Sequence, residues 1–308
     1  MATDRGHTPS KVMVAVDGHR LRLSNLDKVL YPAAGTTKAE IIEYYTRIAD
    51  AMLPHLQGRP LTMVRHPDGV GGPFFFEKRC PPHHPDWLPT VDLGRVGRDK
   101  VVSHCDLRER AALVWAANLA ALELHVPMGR APDPHVPTMV VFDLDPGPPA
   151  GMVECARVAG WLFEVFDRLG IQGWAKTSGS KGLQVYVPVN DPGATYERTK
   201  GFALAVGQLL ERVHADLVLT SMDKAARTGK VFVDWSQNVP LKTTVAVYSL
   251  RARDRPTIST PVTRDEVAAA AEGEPLHFEI PDVLDRVERH GDLFAATADL
   301  HQDLPVLA

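Results

Sequence analysis

The segment VVFDLDPG, residues 140–147, places two carboxylates in alternate positions at the end of an apolar run. Side chains at positions i and i+2 of a strand point to the same face, about 6.6 Å apart. Buried carboxylates are costly unless a counter-charge balances them. Asp143 and Asp145 therefore indicate a divalent metal site at a strand end. Taken alone, the pattern fits equally well a carboxylate that caps the next helix beside a solvated neighbour.

A second apolar run, VFVDWSQN, ends in Asp234 in the same format. Three carboxylates at two strand ends form a set of hard oxygen ligands suited to Mg²⁺ or Mn²⁺. Pairs of such ions, about 3.5–4 Å apart, occur in phosphoryl-transfer sites. The alternative is an ordinary aspartate at a strand end, followed by a turn.

The segment TSGSKG, residues 177–182, combines two glycines, two serines and a lysine between predicted strands. Free backbone N–H groups, hydroxyl donors and a cation are suited to binding an anion. The Walker A pattern is absent, and a flexible hairpin loop is the alternative. Beside a metal site, we expect the loop to hold a triphosphate.

The segment TMVRHPDGVGGPFFFEK interleaves cations with three consecutive phenylalanines. On a strand, Phe75 faces away from Phe74 and Phe76, so at least one ring is expected at the surface and two in the core. Exposed rings beside cations are typical of surfaces that stack bases and contact phosphates. Arg227 and Arg251, in KAARTGK and YSLRARDR, add further cations.

Helical and strand patterns alternate along the chain, which predicts an α+β fold around a central sheet. A hairpin is expected at Asp17-Gly18, a capping box at Thr37 and Glu40, and a helix end at Gly170. Further strands are expected in PLTMVRHPDGVGGPFFFEK, VVFDLDPG, GWAKTSGSKGLQVYVPV, KVFVDWSQN and KTTVAVYSL. Helices are expected in TTKAEIIEYYTRIADAML, DLRERAALVWAANLAALELHV, AGMVECARVAGWLFEVFDRLG, residues 195–214, TRDEVAAAAEG and PDVLDRVERHG.

The formal net charge of −4 is unevenly distributed. Residues 262–308 carry 11 acidic and 3 basic groups, whereas the preceding residues carry 27 acidic and 31 basic groups. A mildly basic body permits a polyanion site. No apolar run is long enough to span a bilayer, and the first residues lack the apolar segment of a signal peptide, so a cytoplasmic protein is expected.

Three cysteines without regular spacing argue against a disulfide framework and fit a reducing compartment. Cys80, His83 and His84, in CPPHH, match no common zinc spacing and have no second half. His125, a single histidine in LELHVP, is by itself more typical of a structural residue.

The ordered motifs LSNLDKVLYP, GTTKAEIIEYY, GRPLTMVRHPDGV, FFFEK, LELHVP, VFDLDPG, TSGSKGL and VFVDWSQN resemble the polymerase domain of bacterial ATP-dependent DNA ligase D. The resemblance covers about residues 20–295. It implies an archaeo-eukaryotic primase-type fold, with a mixed central sheet and an RRM-like catalytic core flanked by helices. The expected organisation is a flexible tail over 1–13 and one domain over 14–300, composed of an N-terminal part (14–135), a catalytic core (136–260) and C-terminal helices (261–300).

The resemblance also implies roles for individual residues in an enzyme that adds nucleotides, preferably ribonucleotides, to a primer 3′-OH. Two Mn²⁺ or Mg²⁺ ions would be bound by Asp143, Asp145 and Asp234. The NTP or dNTP would be held or flanked by His125, Ser178, Lys181, Arg227, Gln237, Arg251, Phe75 and Phe76. DNA and the 5′-phosphate of a gap would be contacted by Asn25, Lys28, Lys38, Arg65 and Lys78.

The resemblance implies gap filling or non-homologous end joining, on gapped or broken DNA, by a protein associated with the nucleoid. No K-x-D-G ligase motif is present, which implies a separate ATP-dependent ligase partner and leaves Ku as a possible further one; no membrane partner is expected. Gln184 stands where the family usually has His. Two alternatives are a phosphohydrolase of the haloacid dehalogenase type, whose motif also reads D-x-D, and a DNA-end-binding module whose polymerase site has decayed.

Overall fold

The computed structural model describes residues 11–94 and 101–305. Most of the tail predicted over 1–13 lies outside these ranges. Residues 11–13 do not belong to a tail, because they form the start of the first strand. This strand pairs with the second through a turn in which Asp17 and Gly18 both have positive φ, which confirms the predicted hairpin.

Strands make up the larger number of elements in the described residues. They are β1 (Lys11–Val16), β2 (His19–Ser24), β3 (Val29–Tyr31), β4 (Thr36–Thr37), β5 (Thr62–Arg65), β6 (Phe75–Glu77), β7 (Thr90–Gly94), β8 (Val101–Cys105), β9 (Ala121–Val126), β10 (Gly129–Arg130), β11 (Asp133–Pro137), β12 (Met139–Pro146), β13 (Trp174–Thr177), β14 (Leu183–Pro188), β15 (Val218–Leu219), β16 (Val231–Asp234), β17 (Thr244–Val245) and β18 (Pro261–Val262). The helices are α1 (Lys38–Arg47), α2 (Ala49–Leu56), α3 (Arg110–Asn118), α4 (Met152–Leu169), α5 (Tyr196–Val213), α6 (Arg264–Ala271), α7 (Ile280–His290) and α8 (Ala296–Asp299).

Two larger sheets organise the molecule, and the predicted α+β class is confirmed. One sheet has six strands in the order β15-β16-β12-β14-β13-β18, antiparallel except for the β15–β16 pair. The other has four strands in the order β17-β9-β5-β6. Four two-stranded ribbons pair β1 with β2, β3 with β4, β7 with β8 and β10 with β11.

Two hydrophobic cores lie on opposite sides of strand β12. Val140, Phe142 and Leu144 pack with α4 and α5 in one core. Met139 and Val141 face the other core, which joins α1, α2 and α3 to the four-stranded sheet. Because side chains alternate along a strand, the carboxylates of β12 continue the second face, toward the space between the two sheets.

The predicted helix ends are confirmed where capping signals are present. Thr37 and Glu40 form the expected capping box at the start of α1. Helix α4 has the predicted 18 residues and ends at Gly170, whose φ of 68° is left-handed. Helices α5 and α6 also lie within the predicted segments, and α7 begins at Ile280, one residue before its predicted segment.

Three predicted elements differ from the structure. The segment from α3 to His125 is not one helix, since α3 ends at Asn118, Ala120 has a positive φ of 55° and LELHV lies within strand β9. The first predicted helix is two helices separated at Ile48, close to Thr46, whose hydroxyl donates to the Ile42 carbonyl. In KTTVAVYSL, only Thr244 and Val245 form a strand, with one isolated bridge at Leu250.

The expectation of no disulfide is wrong for one pair. Cys80 and Cys105 form a disulfide with a Cα–Cα distance of 4.8 Å, whereas Cys155 is free and buried. The two bonded cysteines are 25 residues apart and meet where the chain leaving β6 passes the end of β8. Their pairing also removes Cys80 as a zinc ligand.

None of the helices in residues 11–94 and 101–305 is both long enough and apolar enough to cross a membrane.

Candidate active site

The residues of the candidate site meet in a cavity of about 470 Å³ between the two larger sheets. Its size is in the range of pockets that hold small molecules. Carboxylates line one part of the wall, and cations and hydroxyls line the rest. The lining residues are His125, Asp143, Asp145, Pro146, Gly147, Ser178, Ser180, Lys181, Gly182, Gln184, Arg227, Thr243, Thr244, Val245, Arg251 and Arg253.

The acidic wall is built by the register of the six-stranded sheet. Asp143 of β12 lies directly opposite Asp234 of β16 on one side and Gln184 of β14 on the other. Asp143 is half-buried, and Asp145 is exposed at the strand end. The predicted shared face of Asp143 and Asp145 is thus present, with Asp234 beside them.

The pKa values of this group reflect crowded negative charge. Burial, followed by the charges of Asp145 and Asp234, raises the pKa of Asp143 to about 7, although the Gln184 amide opposes the shift. For Asp145, desolvation by the cavity wall and the charge of Asp234 raise the pKa, against the Arg227 guanidinium. A bound cation would relieve this repulsion.

The carboxylates do not form a closed metal cage in the described part of the chain, where no cluster of three His, Cys, Asp or Glu side chains has formed. Asp234 is only 8% exposed and is absent from the cavity wall. Its Oδ1 accepts from the Ser236 N–H and hydroxyl, and its Oδ2 accepts from the Gln237 amide at 2.9 Å. The carboxylate oxygens are suited to Mg²⁺ or Mn²⁺. To bind such an ion, Asp234 would have to give up the hydrogen bond that its Oδ2 accepts from the Gln237 amide.

Gln184 has its amide orientation fixed by three neighbours. Its Nε2 donates to Asp143 Oδ1 at 3.0 Å, and its Oε1 accepts from the Lys176 ammonium and from the Tyr186 hydroxyl at 3.1 Å. Lys176 is fully buried, and its Nζ also donates to the Val245 carbonyl and Ser259 hydroxyl. Desolvation lowers the pKa of Lys176 well below its ordinary value. The fixed Gln184 amide therefore restricts the orientation of the Asp143 carboxylate through its hydrogen bond to Oδ1.

The loop at 177–182 closes the opposite side of the cavity. The Ser178 hydroxyl accepts from the N–H groups of Ser180 and Gly182, at 3.3 and 3.2 Å. These two N–H groups are therefore not free, contrary to the predicted open nest. Lys181 is exposed and lines the cavity. A Cβ on Gly182 would lie 2.0 Å from the Leu144 carbonyl oxygen, so the loop can approach β12 this closely only with glycine there.

Two arginines approach the cavity from different segments. Arg227 ends a 3₁₀ turn, its guanidinium lies 3.8 Å from the ring centroid of Phe232, and its buried Nε has no hydrogen-bond partner. Arg251 donates to the Ser178 carbonyl, and its Nε lies 3.1 Å from Glu123 Oε1. Both therefore lie where the predicted triphosphate site requires positive charge.

His125 and Glu123 lie two residues apart on β9, so they share a face of the strand. His125 Nε2 is 2.7 Å from Glu123 Oε2. Burial opposes ionisation of Glu123, but His125, Arg251 and the Ala252 N–H together lower its pKa to about 2. Glu123 was missed by the sequence analysis because its spacing from His125 has meaning only on a strand, and this segment was predicted to be helical.

The remaining predicted residues lie outside the cavity in two groups. Lys28 and Lys38 meet beside Asn25: the Lys38 N–H donates to the Lys28 carbonyl, and its Nζ donates to the Ser24 carbonyl at 2.7 Å. Desolvation and the charges of Lys28 and Arg65 lower the pKa of Lys38 to about 8. Lys28 is also paired with Asp68 at 2.7 Å.

The aromatic group lies at the edge of the four-stranded sheet, with Phe75 and Phe76 on β6 and Phe74 directly before it. Phe74, Phe75 and Phe76 are 56%, 44% and 60% exposed, so the expectation that two of them are in the core is wrong. Arg65 stacks on Phe75 and is held by Glu77 at 2.7 Å, whereas Lys78 is exposed. Because β6 is an edge strand, these rings have side chains of a neighbouring strand on one side only.

The chain matches the family model described as LigD, primase-polymerase domain over residues 37–294. It is 42% identical over 289 residues to the multifunctional non-homologous end joining protein LigD of Mycolicibacterium smegmatis, covering 93% of this chain and 37% of that protein. It is 40% identical over 302 residues to the LigD of Mycobacterium tuberculosis, covering 96% of this chain and 39% of that protein. The chain thus spans less than half the length of these relatives.

A solved structure, the polymerase domain of Mycobacterium tuberculosis ligase D in complex with DNA, superposes with a TM-score of 0.85 at 40% identity. The match covers 91% of this chain and 98% of that one. It confirms the predicted primase-type fold and the predicted enzyme class, a nucleotidyltransferase, and it does not support the haloacid dehalogenase alternative. The chain belongs to the LigD primase-polymerase domain family.

Proposed function

We propose that this protein extends a DNA primer 3′-OH by nucleotidyl transfer, in gap filling or non-homologous end joining. The observation that carries the proposal is the cavity itself, in which two carboxylates face cations and hydroxyls across a space large enough for a small ligand. Similarity to a polymerase domain whose structure was solved in complex with DNA supports the choice of substrate class.

In this proposal, Asp143, Asp145 and Asp234 hold two divalent cations, Mn²⁺ or Mg²⁺. When bound, such ions lower the pKa of the attacking hydroxyl and stabilise charge on the transferred phosphate and the pyrophosphate. Gln184 keeps one oxygen of Asp143 engaged at 3.0 Å, which orients that carboxylate. Gln237, bonded to Asp234, moves when that carboxylate turns toward the cavity.

The triphosphate of the incoming nucleotide would lie against the basic wall. Lys181, Arg227 and Arg251 would neutralise its charge, and Ser178 and His125 would supply short-range polar contacts. Electrostatic stabilisation and positioning provide most of the catalysis in phosphoryl transfer. We also propose that the enzyme prefers ribonucleotides to deoxyribonucleotides as the incoming substrate.

The DNA would bind on the surface outside the cavity. Phe75 and Phe76 are exposed enough to stack on bases, beside Lys78 and Arg65. The group formed by Asn25, Lys28 and Lys38 would receive a downstream 5′-phosphate, because two ammonium groups and the start of α1 meet there. A separate ATP-dependent DNA ligase and Ku are proposed partners.

Primer extension on a short gapped duplex with a downstream 5′-phosphate tests the proposal, using rNTPs or dNTPs with Mn²⁺ or Mg²⁺. We expect incorporation that disappears in Asp143→Ala/Asp145→Ala. Weaker activity without the 5′-phosphate, together with loss of this difference in Lys28→Ala/Lys38→Ala, would support gap recognition. DNA binding without any incorporation by the wild type would favour the decayed module instead.

A further inference from the structure

We propose that Glu123 is a positioning residue that fixes His125 and Arg251 against the triphosphate of the incoming nucleotide. The inference rests on the proposed function and adds to it a residue that contacts neither substrate nor cation. A buried carboxylate directly behind an anion-binding wall is unexpected on charge alone, because it repels the ligand that the wall attracts. Its contacts explain its presence.

Each oxygen of Glu123 is assigned to a different segment. Oε2 contacts His125 Nε2 at 2.7 Å on the same strand, and Oε1 accepts from the Ala252 N–H at 2.9 Å. Oε1 also forms an ion pair with the Arg251 guanidinium, whose Nε lies 3.1 Å away without donating a hydrogen bond. The carboxylate is 8% exposed and is absent from the cavity wall, so it acts behind the residues that it holds.

Arg251 connects Glu123 to the loop at 177–182, which forms another part of the basic wall. The Arg251 guanidinium donates to the Ser178 carbonyl, at the start of the loop that carries Lys181. Segments that are more than 50 residues apart in sequence are thereby joined: strand β9, the loop at 177–182 and the chain at 251–252. Glu123 is the carboxylate common to the first and the last of these.

The ionised carboxylate also fixes the ring of His125. Because Glu123 remains ionised at neutral pH, it can only accept a hydrogen bond, so His125 Nε2 must carry the proton. The other ring nitrogen, Nδ1, is then left for a ligand in the cavity. The pairing sets both the orientation of the ring and the nitrogen that carries the proton.

The proposal makes a prediction opposite in sign to simple electrostatics. Removing a negative charge near the cavity should strengthen binding of a triphosphate if the basic residues stay in place. If Glu123 holds them in place, Glu123→Ala should weaken binding. We expect the KM for NTP in primer extension to rise about tenfold or more, with a smaller fall in kcat at saturating NTP.

A matched control removes an equivalent ion pair far from the cavity. Glu266 pairs with Arg286 between the C-terminal helices, and this pairing lowers its pKa as pairing does for Glu123. We expect Glu266→Ala to lower the melting temperature and to leave the KM for NTP unchanged. An unchanged or lower KM in Glu123→Ala, with a normal wild type, would overturn the proposal.

Glu123→Gln provides a second test if Glu123→Ala fails to fold. The glutamine carbonyl can still accept from the Ala252 N–H, which leaves its NH₂ group facing His125 Nε2. The His125 ring then has to carry its proton on Nδ1 instead of Nε2, and the attraction between opposite charges at Arg251 is lost, so we expect an intermediate rise in KM. An unchanged KM in this variant would also overturn the proposal.

A readout that is independent of activity separates this inference from the proposed function. Nitrogen-15 NMR of the His125 ring in the free protein should show a proton on Nε2 in the wild type and a change of tautomer population in Glu123→Gln. An identical ring spectrum in both proteins would refute the positioning role. Absence of primer extension by the wild type would refute the proposed function instead.

Discussion

Asp143 should make the metal-free protein less stable as the pH rises. The folded protein raises the pKa of this carboxyl from its ordinary 3.8 to about 7, chiefly through burial and then through the charge of Asp145. A carboxyl whose pKa is raised on folding binds its proton more tightly in the folded state. The contribution of Asp143 to stability is therefore highest below pH 3.8 and falls as the pH rises toward 7.

The magnitude follows from the two pKa values. Each pH unit between them corresponds to about 1.4 kcal/mol, so ionised Asp143 costs the folded protein about 4 kcal/mol. Asp143→Asn removes the charge and keeps the oxygen that accepts from Gln184. We compare the unfolding free energy of the variant with that of the wild type at each pH. This difference should be about 3 kcal/mol more favourable to the variant at about pH 8 than at about pH 5.

Urea unfolding at the two pH values, in the presence of a chelator, measures this difference. Comparing the pH values cancels any packing cost of the asparagine that does not depend on pH. Asp216→Asn, which changes an exposed carboxylate in the turn after α5, serves as the control. Added Mn²⁺ should stabilise the wild type more than Asp143→Asn, because binding energy then favours the ionised carboxylates.

Equal differences in unfolding free energy between Asp143→Asn and wild type at both pH values would contradict the raised pKa of Asp143. A loss, rather than a gain, of relative stability by the variant at the higher pH would contradict it as well.

Three further predictions concern other parts of the site. Phe76→Ala should lower affinity for primer-template DNA about tenfold, through lost stacking, with little change in melting temperature; Val213→Ala, also exposed, should change neither. Gly147→Ala should raise the KM for NTP and lower stability, because the new Cβ would lie 1.9 Å from a carbonyl oxygen of the 3₁₀ turn; Gly160→Ala, with open space around it, should not. Lys176→Met should lower the free energy of unfolding, measured by urea denaturation, by about 2–4 kcal/mol, because three buried acceptors lose this donor and the Gln184 oxygen keeps the Tyr186 hydroxyl as another.

The sequence predicted the parts of the fold that have local signals. The Thr37 capping box, the turn at Asp17-Gly18 and the helix end at Gly170 all depend on residues within a few positions of one another. The carboxylates of β12 were predicted to share a face because alternation is a property of any strand. These features need no knowledge of distant contacts.

The errors occurred where distant contacts determine the structure. The segment LELHV alternates apolar and polar residues as a strand does, but it follows the apolar run of α3 with no Gly or Pro between them, so it was predicted as the end of that helix. Its pairing with β5 and β17 is what makes it a strand. The contacts of Glu123 with Arg251, and the pairing of Cys80 with Cys105, connect residues that only the folded sheet brings together. The exposure of the phenylalanines depends on β6 lying at a sheet edge.

The pairing of Asp143 with Asp234 limits how this protein can change in length. The two residues are opposite one another in adjacent antiparallel strands, with Leu144 opposite Val233 on the other face. Inserting one residue inside β16 would turn Asp234 into the apolar core beside α4 and bring a valine toward the cavity. Insertions and deletions are therefore compatible with the acidic wall only in the connecting loops, and the spacing within each strand must stay fixed.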